Sequence, residues 1–351
     1  MLHFVSLFVI RPLTLYYVLP TSQVMTHVFD IISHISERSE DHPGVGQEAC
    51  SAHSMQSFPT YVHDLLFDGS LRRGGEWGGE ECAAYVPIHM HIIETAAWLI
   101  VLLMSGLYLD VPGSITRLKS KARELLKRSP TSQLQRILEI GVAILLFSMF
   151  AMLVIIKFND KAMINLTQPC HLLLILQGIA LLSTGPEGSV ITIFILPPLA
   201  GVLTAMVIPA VDGLSHIEII NFWVQHVLLG VLPIYLLCRQ QFTVSRLCSI
   251  HLFAIGLWIF AMFHFTFYEV VCVSFNVNPQ FMLCPTFGLR PALAALPEIL
   301  LFPTYRTTVT FIFSAMALIN SYLYYTISFL LDVSLSPFLE PSHDSNHKKN
   351  E

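Results

Sequence analysis

The sequence predicts an all-α protein, a polytopic membrane helical bundle of about seven transmembrane helices, with six to eight as the range. Hydrophobic residues make up 54% of the 351 and charged residues only 12%, with a mean hydropathy of +0.64. Soluble domains carry about twice that share of charge. The apolar residues gather in blocks near the ~20 residues that a helix needs to cross ~30 Å of hydrocarbon. Basic residues cluster in a few connecting segments, as the positive-inside rule requires. The net charge is −5 and no basic tract suited to nucleic acid is present, which excludes that partner class.

Residues 1–60 read as an N-terminal extension. Residues 1–20 are apolar but interrupted by Arg11-Pro12, and suit a poor signal sequence, a short anchor or a dispensable extension. Residues 21–60 are rich in Ser, His and acidic side chains without an apolar period, and read as a disordered tail. A pre-membrane segment, 61–87, follows; its Gly-rich run with Arg72 and Arg73 lacks the spacing of a phosphate loop. The first span is 88–109. Segment 110–136 then carries seven basic residues against Asp110 and Glu124, which places it in the cytosol.

The second span is 137–156. The third starts near Ala162 or at Pro169 and ends at Ser183, and the fourth, 190–208, is kinked at Pro197-Pro198. The fifth, sixth and seventh are 219–237, 247–271 and 307–331, completing a transmembrane domain of 88–331. Alternation puts 239–246 and the 332–351 tail in the cytosol, and 157–165, 209–218 and 276–306 on the lumenal side. The C-terminal Lys348-Lys349-Asn350-Glu351 fits a dilysine retrieval signal, read on the cytosolic face, and points to the endoplasmic reticulum. The seven cysteines form no Cys-x-x-Cys and are odd in number, so they cannot all pair within the chain. Cys82 and Cys284 fall on the lumenal side and could pair. Asn165-Leu-Thr167 matches a glycosylation acceptor but lies too near the membrane to be modified.

The stretch Asn165-Leu-Thr-Gln-Pro-Cys-His171 opens the third apolar run. Pro169 suits the first helical turn, where its missing N–H would be unpaired anyway. Cys170 falls in the same turn, where free N–H groups and the helix dipole favour a thiolate. Most membrane-helix cysteines are only small apolar fillers. Counting from the span ends, His226 and His264 each lie about 10 Å below the lumenal face and Cys170 about 12 Å. Three polar groups from three helices thus reach one level of one leaflet, where ionisable side chains are costly and usually functional. The alternative for each histidine is a lone interhelical hydrogen bond.

Asn221 and Gln225, four residues apart beside His226, are expected to hold its imidazole in one tautomer. His264 has aromatic neighbours and suits an oxyanion or a headgroup. With His226 or His264 as base, Cys170 would attack a lipid ester. Neither cofactor nor metal is expected, since no His-Glu-x-x-His and no carboxylate cluster lies at this level.

The Asn165–His171 stretch, the run from His216-Ile-Glu218 through Gln225-His226 to Pro233-Ile-Tyr235, Phe263-His264-Phe265, and the run from Asn276 to Cys284-Pro285 together resemble the transmembrane protein 164 family. Glu81-Cys82-Ala83-Ala84 fits as well. The resemblance covers 61–335. It implies a fold similar to the androgen-induced intramembrane hydrolases, which use a threonine and a histidine. It also implies a lipid acyltransferase of the endoplasmic reticulum, moving polyunsaturated acyl chains onto lysophospholipid, notably ether-linked phosphatidylethanolamine, through a cysteine. Motif by motif the nucleophile falls on Cys170 and the base on His226, with His264, His171, Asn221 and Gln225 in support. Phospholipid, lysophospholipid and the membrane are the implied partners. A hydrolase differs only in using water as acceptor, a lipid-binding scaffold would tolerate loss of the thiol, and a transporter needs polar groups continuing into the cytosolic half.

Overall fold

Apolar runs bounded by Pro, Ser and Asp become helices in the order the sequence sets. The computed structural model describes residues 58–73, 77–126, 132–209, 211, 214–239, 250–285 and 304–339. The readings for residues 1–57 and the dilysine tail lie outside the described residues. The helices are α1 (58–73), α2 (Ile88–Leu109), α3 (Val111–Leu126), α4 (Gln133–Asn159), α5 (Pro169–Leu182), α6 (Pro186–Ile195), α7 (Leu199–Val207), α8 (His216–Arg239), α9 (250–275) and α10 (Tyr305–Leu339). Among the described residues the β structure is one isolated bridge, Gly78 to Val277.

Five helices, α2, α4, α8, α9 and α10, are long and apolar enough to cross a membrane, and α6 with α7 forms a sixth crossing bent by 43°. The bend falls at Leu196 to Pro198, where the tandem prolines interrupt the backbone ladder. Of the two expected starts of the third run, the structure has the later one. Pro169 begins the helix, and α5 has only 14 residues, roughly 21 Å at 1.5 Å per residue and short of the hydrocarbon thickness. A 3-10 turn, Met163–Thr167, carries the chain from α4 to its recessed start.

Segment 110–136 is not a plain loop, because most of it is α3. Asp110, in the left-handed region at φ 43°, ends α2 and accepts the Gly113 N–H at 3.3 Å. Val111, Leu118 and Ala122 are buried at helical spacing while Arg117 and Arg123 stay exposed. The helix therefore lies with one face against α6 and its basic face outward. Ser132 then caps α4, accepting the Gln135 N–H at 3.2 Å.

Both ends and the middle of α5 are tied. At its C-terminus Arg136 donates to the Leu181 and Leu182 carbonyls at 2.9 and 2.5 Å, and Arg239 to those of Leu181 and Ser183 at 3.1 and 2.7 Å. Two cations thus close the orphan carbonyls, and buried Glu139 pairs with both at 3.2 and 3.3 Å. In the middle, Pro233 of α8 has no N–H, so the Leu229 carbonyl one turn earlier lacks its helical donor. Gln177 of α5, fully buried, supplies one at 3.1 Å.

The other end of the bundle is closed by loops. Cys82 and Cys284 form a disulfide, as their expected common side allowed. Gly78, at φ 143°, sits so close to the Asn276 carbonyl that a Cβ would approach it to 2.5 Å. Below the loops, Arg306 of α10 pairs with Glu94 of α2 at 2.9 Å and with Glu269 of α9, whose other oxygen meets His91 Nδ1 at 3.0 Å. Each charge in this clamp has an opposite partner, the condition under which charges persist at membrane depth.

Candidate active site

Recessing α5 leaves a cavity of about 290 Å³ above its N-terminus. Cys170, His171, Asn221, Gln225, His226 and His264 all line it. Leu257, Phe260, Val309 and Phe313 supply apolar wall from α9 and α10, and Gly201, Val202 and Ala205 from α7. The cavity is thus polar where α5 begins and mostly apolar along α7, α9 and α10, where Thr204, His264, Thr310 and Ser314 interrupt the wall.

Gln168 and Pro169 deliver Cys170 to the second position of α5. Its S–H points to Gln168 Oε1 at 3.9 Å. The other polar neighbours of the sulfur are the N–H groups of Cys170 and His171 and the Gln225 side chain. The stretch before it is pinned: Asn165 Nδ2 donates to Ser70 Oγ at 3.1 Å, and the Tyr268 hydroxyl to the Thr167 carbonyl.

Each of two histidines has its tautomer set by a backbone carbonyl. His171 Nδ1 lies 2.7 Å from the Asn165 carbonyl and His226 Nδ1 2.7 Å from that of Phe222. A carbonyl only accepts, so Nδ1 carries the hydrogen in both and Nε2 keeps the lone pair. Among the described residues neither histidine is hydrogen-bonded to the thiol. The two rings lie within electrostatic reach of each other and both line the cavity.

The expected role of Asn221 and Gln225 is corrected by the same geometry. Phe222, one turn back on α8, orients His226, and the two carboxamides do not. Asn221 and Gln225 are 3% and 1% exposed, and among the described residues both amide atoms of Asn221 and Nε2 of Gln225 have no hydrogen-bond partner. An unpaired buried amide is costly, and these face the cavity beside Cys170. His264 opens a π-turn, His264–Tyr268, with its Nδ1 buried and unpartnered. Such turns sit at functional positions more often than ordinary helix does.

Sequence reasoning missed one group. Lys157 of α4 and Glu218 of α8, both buried, line the cavity and meet at 2.6 Å. Glu218 Oε2 also accepts the Ser215 N–H and hydroxyl at 3.0 and 3.1 Å. Glu218, Asn221 and Gln225 form one ladder on α8 descending toward Cys170. Its three-and-four spacing was the available signal. Below the cavity, α10 carries buried Asn320, Ser321 and Ser328 with unpartnered polar atoms, so polar groups do continue into the other half, on α10. Among the described residues no cluster of three or more His, Cys, Asp or Glu side chains is placed to hold a metal.

A family model matches residues 85–325, which include every residue named in this cavity apart from Trp77 of its rim. The chain belongs to the TMEM164 family. No solved structure matches it. The family match spans the Cys170 stretch, the α8 ladder and the π-turn of α9, while Cys82 and α1 lie before it.

Proposed function

We propose that the chain is a membrane-embedded, cysteine-dependent acyltransferase or transacylase that passes a fatty acyl chain from a phospholipid to a lysophospholipid through a thioester on Cys170. The observation that carries this is a thiol at a recessed helix N-terminus, beside two imidazoles with free Nε2 atoms and two unpartnered carboxamides, in a cavity that is polar around α5 and α8 and mostly apolar elsewhere. Such a cavity suits an amphiphile whose ester lies at the boundary.

In the first step Cys170 Sγ attacks the ester carbonyl and its proton passes to His226 Nε2. The C–O bond to the lysolipid breaks as the tetrahedral intermediate collapses, and His226 returns the proton to that oxygen. Gln225 Nε2 is the donor for the oxyanion, with the N–H groups at the start of α5 beside it. In the second step the hydroxyl of a lysolipid gives its proton to His226 and attacks the thioester, and the proton returns to Sγ. Polyunsaturated chains, an ether-linked ethanolamine acceptor and the endoplasmic reticulum belong to this reading through the family resemblance. Water as acceptor makes the same site a lipid ester hydrolase.

The test incubates purified protein with a phospholipid labelled in its acyl chain, with and without lysophosphatidylethanolamine, and follows the label. Label on Cys170 that is chased to the lysolipid is the expected result. Label released as free fatty acid in both arms supports the hydrolase, and transfer undiminished in Cys170→Ala overturns the covalent route.

A further inference from the structure

The Lys157–Glu218 pair joins α4 to α8 and lies buried on the wall of the cavity that holds Cys170. Lys157 is within electrostatic reach of Cys170, and Lys157 and Glu218 both of His171. Glu218 is the first rung of the α8 ladder, three residues before Asn221 and seven before Gln225, about 4.5 and 10 Å along the axis. Among the described residues Lys157 Nζ makes one hydrogen bond, to Glu218 Oε1 at 2.6 Å, and an ammonium has three donors. Asn221 adds an amide with both polar atoms unpartnered, 97% buried and aimed into the same cavity. Two donor-bearing groups without full partners therefore line the same cavity as the thiol.

We propose that Lys157, positioned by Glu218 and assisted by Asn221, is a subsite for the phosphate of a zwitterionic phospholipid. The substrate class follows from charge. The pair is neutral when empty, and burying a net charge there is costly. A net-anionic headgroup would leave one negative charge uncompensated. A headgroup carrying both a phosphate and a cation keeps the site neutral: the phosphate meets Lys157, and its cation lies on the open side of the Glu218 carboxylate. A neutral glycerolipid offers the free donors only uncharged oxygens, without the charge assistance of a phosphate. This deepens the proposed function and rests on it for the placement of the ester at Cys170.

The experiment compares the full-length protein with Lys157→Met/Glu218→Gln. This double variant removes both charges together, so no lone charge is left buried, and the glutamine still accepts from Ser215. Cys170 acylation is timed with phosphatidylcholine, phosphatidylglycerol and diacylglycerol of matched chains, each referred to a p-nitrophenyl ester of the same acid. Wild type is expected to prefer phosphatidylcholine over both others by about tenfold or more, the worth of one charge-assisted hydrogen bond. In the double variant the ratio should fall to within about twofold of one.

An unchanged ratio, or equal rates for all three lipids in wild type, overturns the subsite. Equal loss with every donor, the p-nitrophenyl ester included, also overturns it and makes the pair a structural tie. Inorganic phosphate is the further arm: if it alone competes at millimolar concentration, the site takes a free anion and not a lipid headgroup. Should no donor acylate wild-type Cys170, the proposed function has failed, and native mass spectrometry of retained lipid decides the subsite separately. Preferential retention of phosphatidylcholine over diacylglycerol, lost in the double variant, then supports it, and equal retention refutes it.

Discussion

Asn221 and Gln225 allow a test in which stability and activity move in opposite directions. Asn221→Leu removes a buried carboxamide with two unpartnered atoms, and Gln225→Leu one whose Nε2 is unpartnered. An unsatisfied buried polar group costs about 1–3 kcal/mol. Hydrogen bonds within membrane bundles are worth only about 0.6 kcal/mol on average, because the reference state also finds partners. The lower bound is therefore the right scale. Relief of about 1 kcal/mol per unpartnered atom gives about 2 kcal/mol for Asn221→Leu and about 1 kcal/mol for Gln225→Leu. The adjoining cavity of about 290 Å³ accepts the bulkier apolar side chain at position 221 without overpacking. At roughly 2–4 °C per kcal/mol the melting temperatures rise by about 4–8 and 2–4 °C. Acyl-enzyme formation in Gln225→Leu should fall by about 10²–10³, the loss typical of one oxyanion donor. The assay is thermal unfolding of delipidated protein in detergent beside the rate of Cys170 acylation. Lower melting temperatures would show that the carboxamides hold the fold together, and undiminished acylation would remove Gln225 from the oxyanion.

Three further outcomes are expected. Gln177→Leu should cost about 0.6–1.7 kcal/mol by stripping the Leu229 carbonyl of its donor, and far less in a Pro233→Ala background, where the helix supplies an N–H; additive costs in the thermal cycle would refute the link. Cysteine introduced at Ser321 or Ser328 should stay unlabelled by an impermeant thiol reagent, read by mass at that residue, whereas a transport path along α10 would admit it. A tag within 114–129 should be cut by protease in intact microsomes and one within 276–304 should be protected, and the reverse would overturn both the orientation and the dilysine reading.

The spans were legible because lipid leaves no alternative to long apolar runs with paired backbone. The start of α5 was not. Residues 162–183 contain no Asp, Glu, Lys or Arg to mark a boundary, and Pro169 fits either a first turn or an internal break, so only packing decides. The basic segment hid α3, although Val111, Leu118 and Ala122 carry its helical period, because attention to its charge displaced attention to its spacing. Partners distant in sequence, Lys157 with Glu218 and Arg306 with Glu94 and Glu269, are set by which helices meet, and nothing local encodes them. For His226 the fault lay in weighting. Its Nδ1 took the carbonyl one turn back that every helical residue can reach, and this left the conspicuous neighbours Asn221 and Gln225 free.

The short length of α5 connects these features. Irregular backbone is tolerated at membrane depth only where it is buried in protein or lines a polar cavity, so a helix starting at Pro169 after a 3-10 turn requires both. The ties through Ser70, Asn165, His171, Thr167 and Tyr268 bury that backbone, and the cavity admits the remaining polar groups. Anchoring by Arg136 and Arg239 at the far end and by Gln177 midway then removes the freedom to slide that so short a helix would otherwise have. Arg136 of α4 and Arg239 and the Leu229 carbonyl of α8 hold α5 itself, and Tyr268 of α9 holds Thr167 just before it, so its placement is fixed by α4, α8 and α9 together. Cys170 is consequently held at a depth its own helix does not set, and that depth is where the polar ladder of α8 ends and the apolar wall begins.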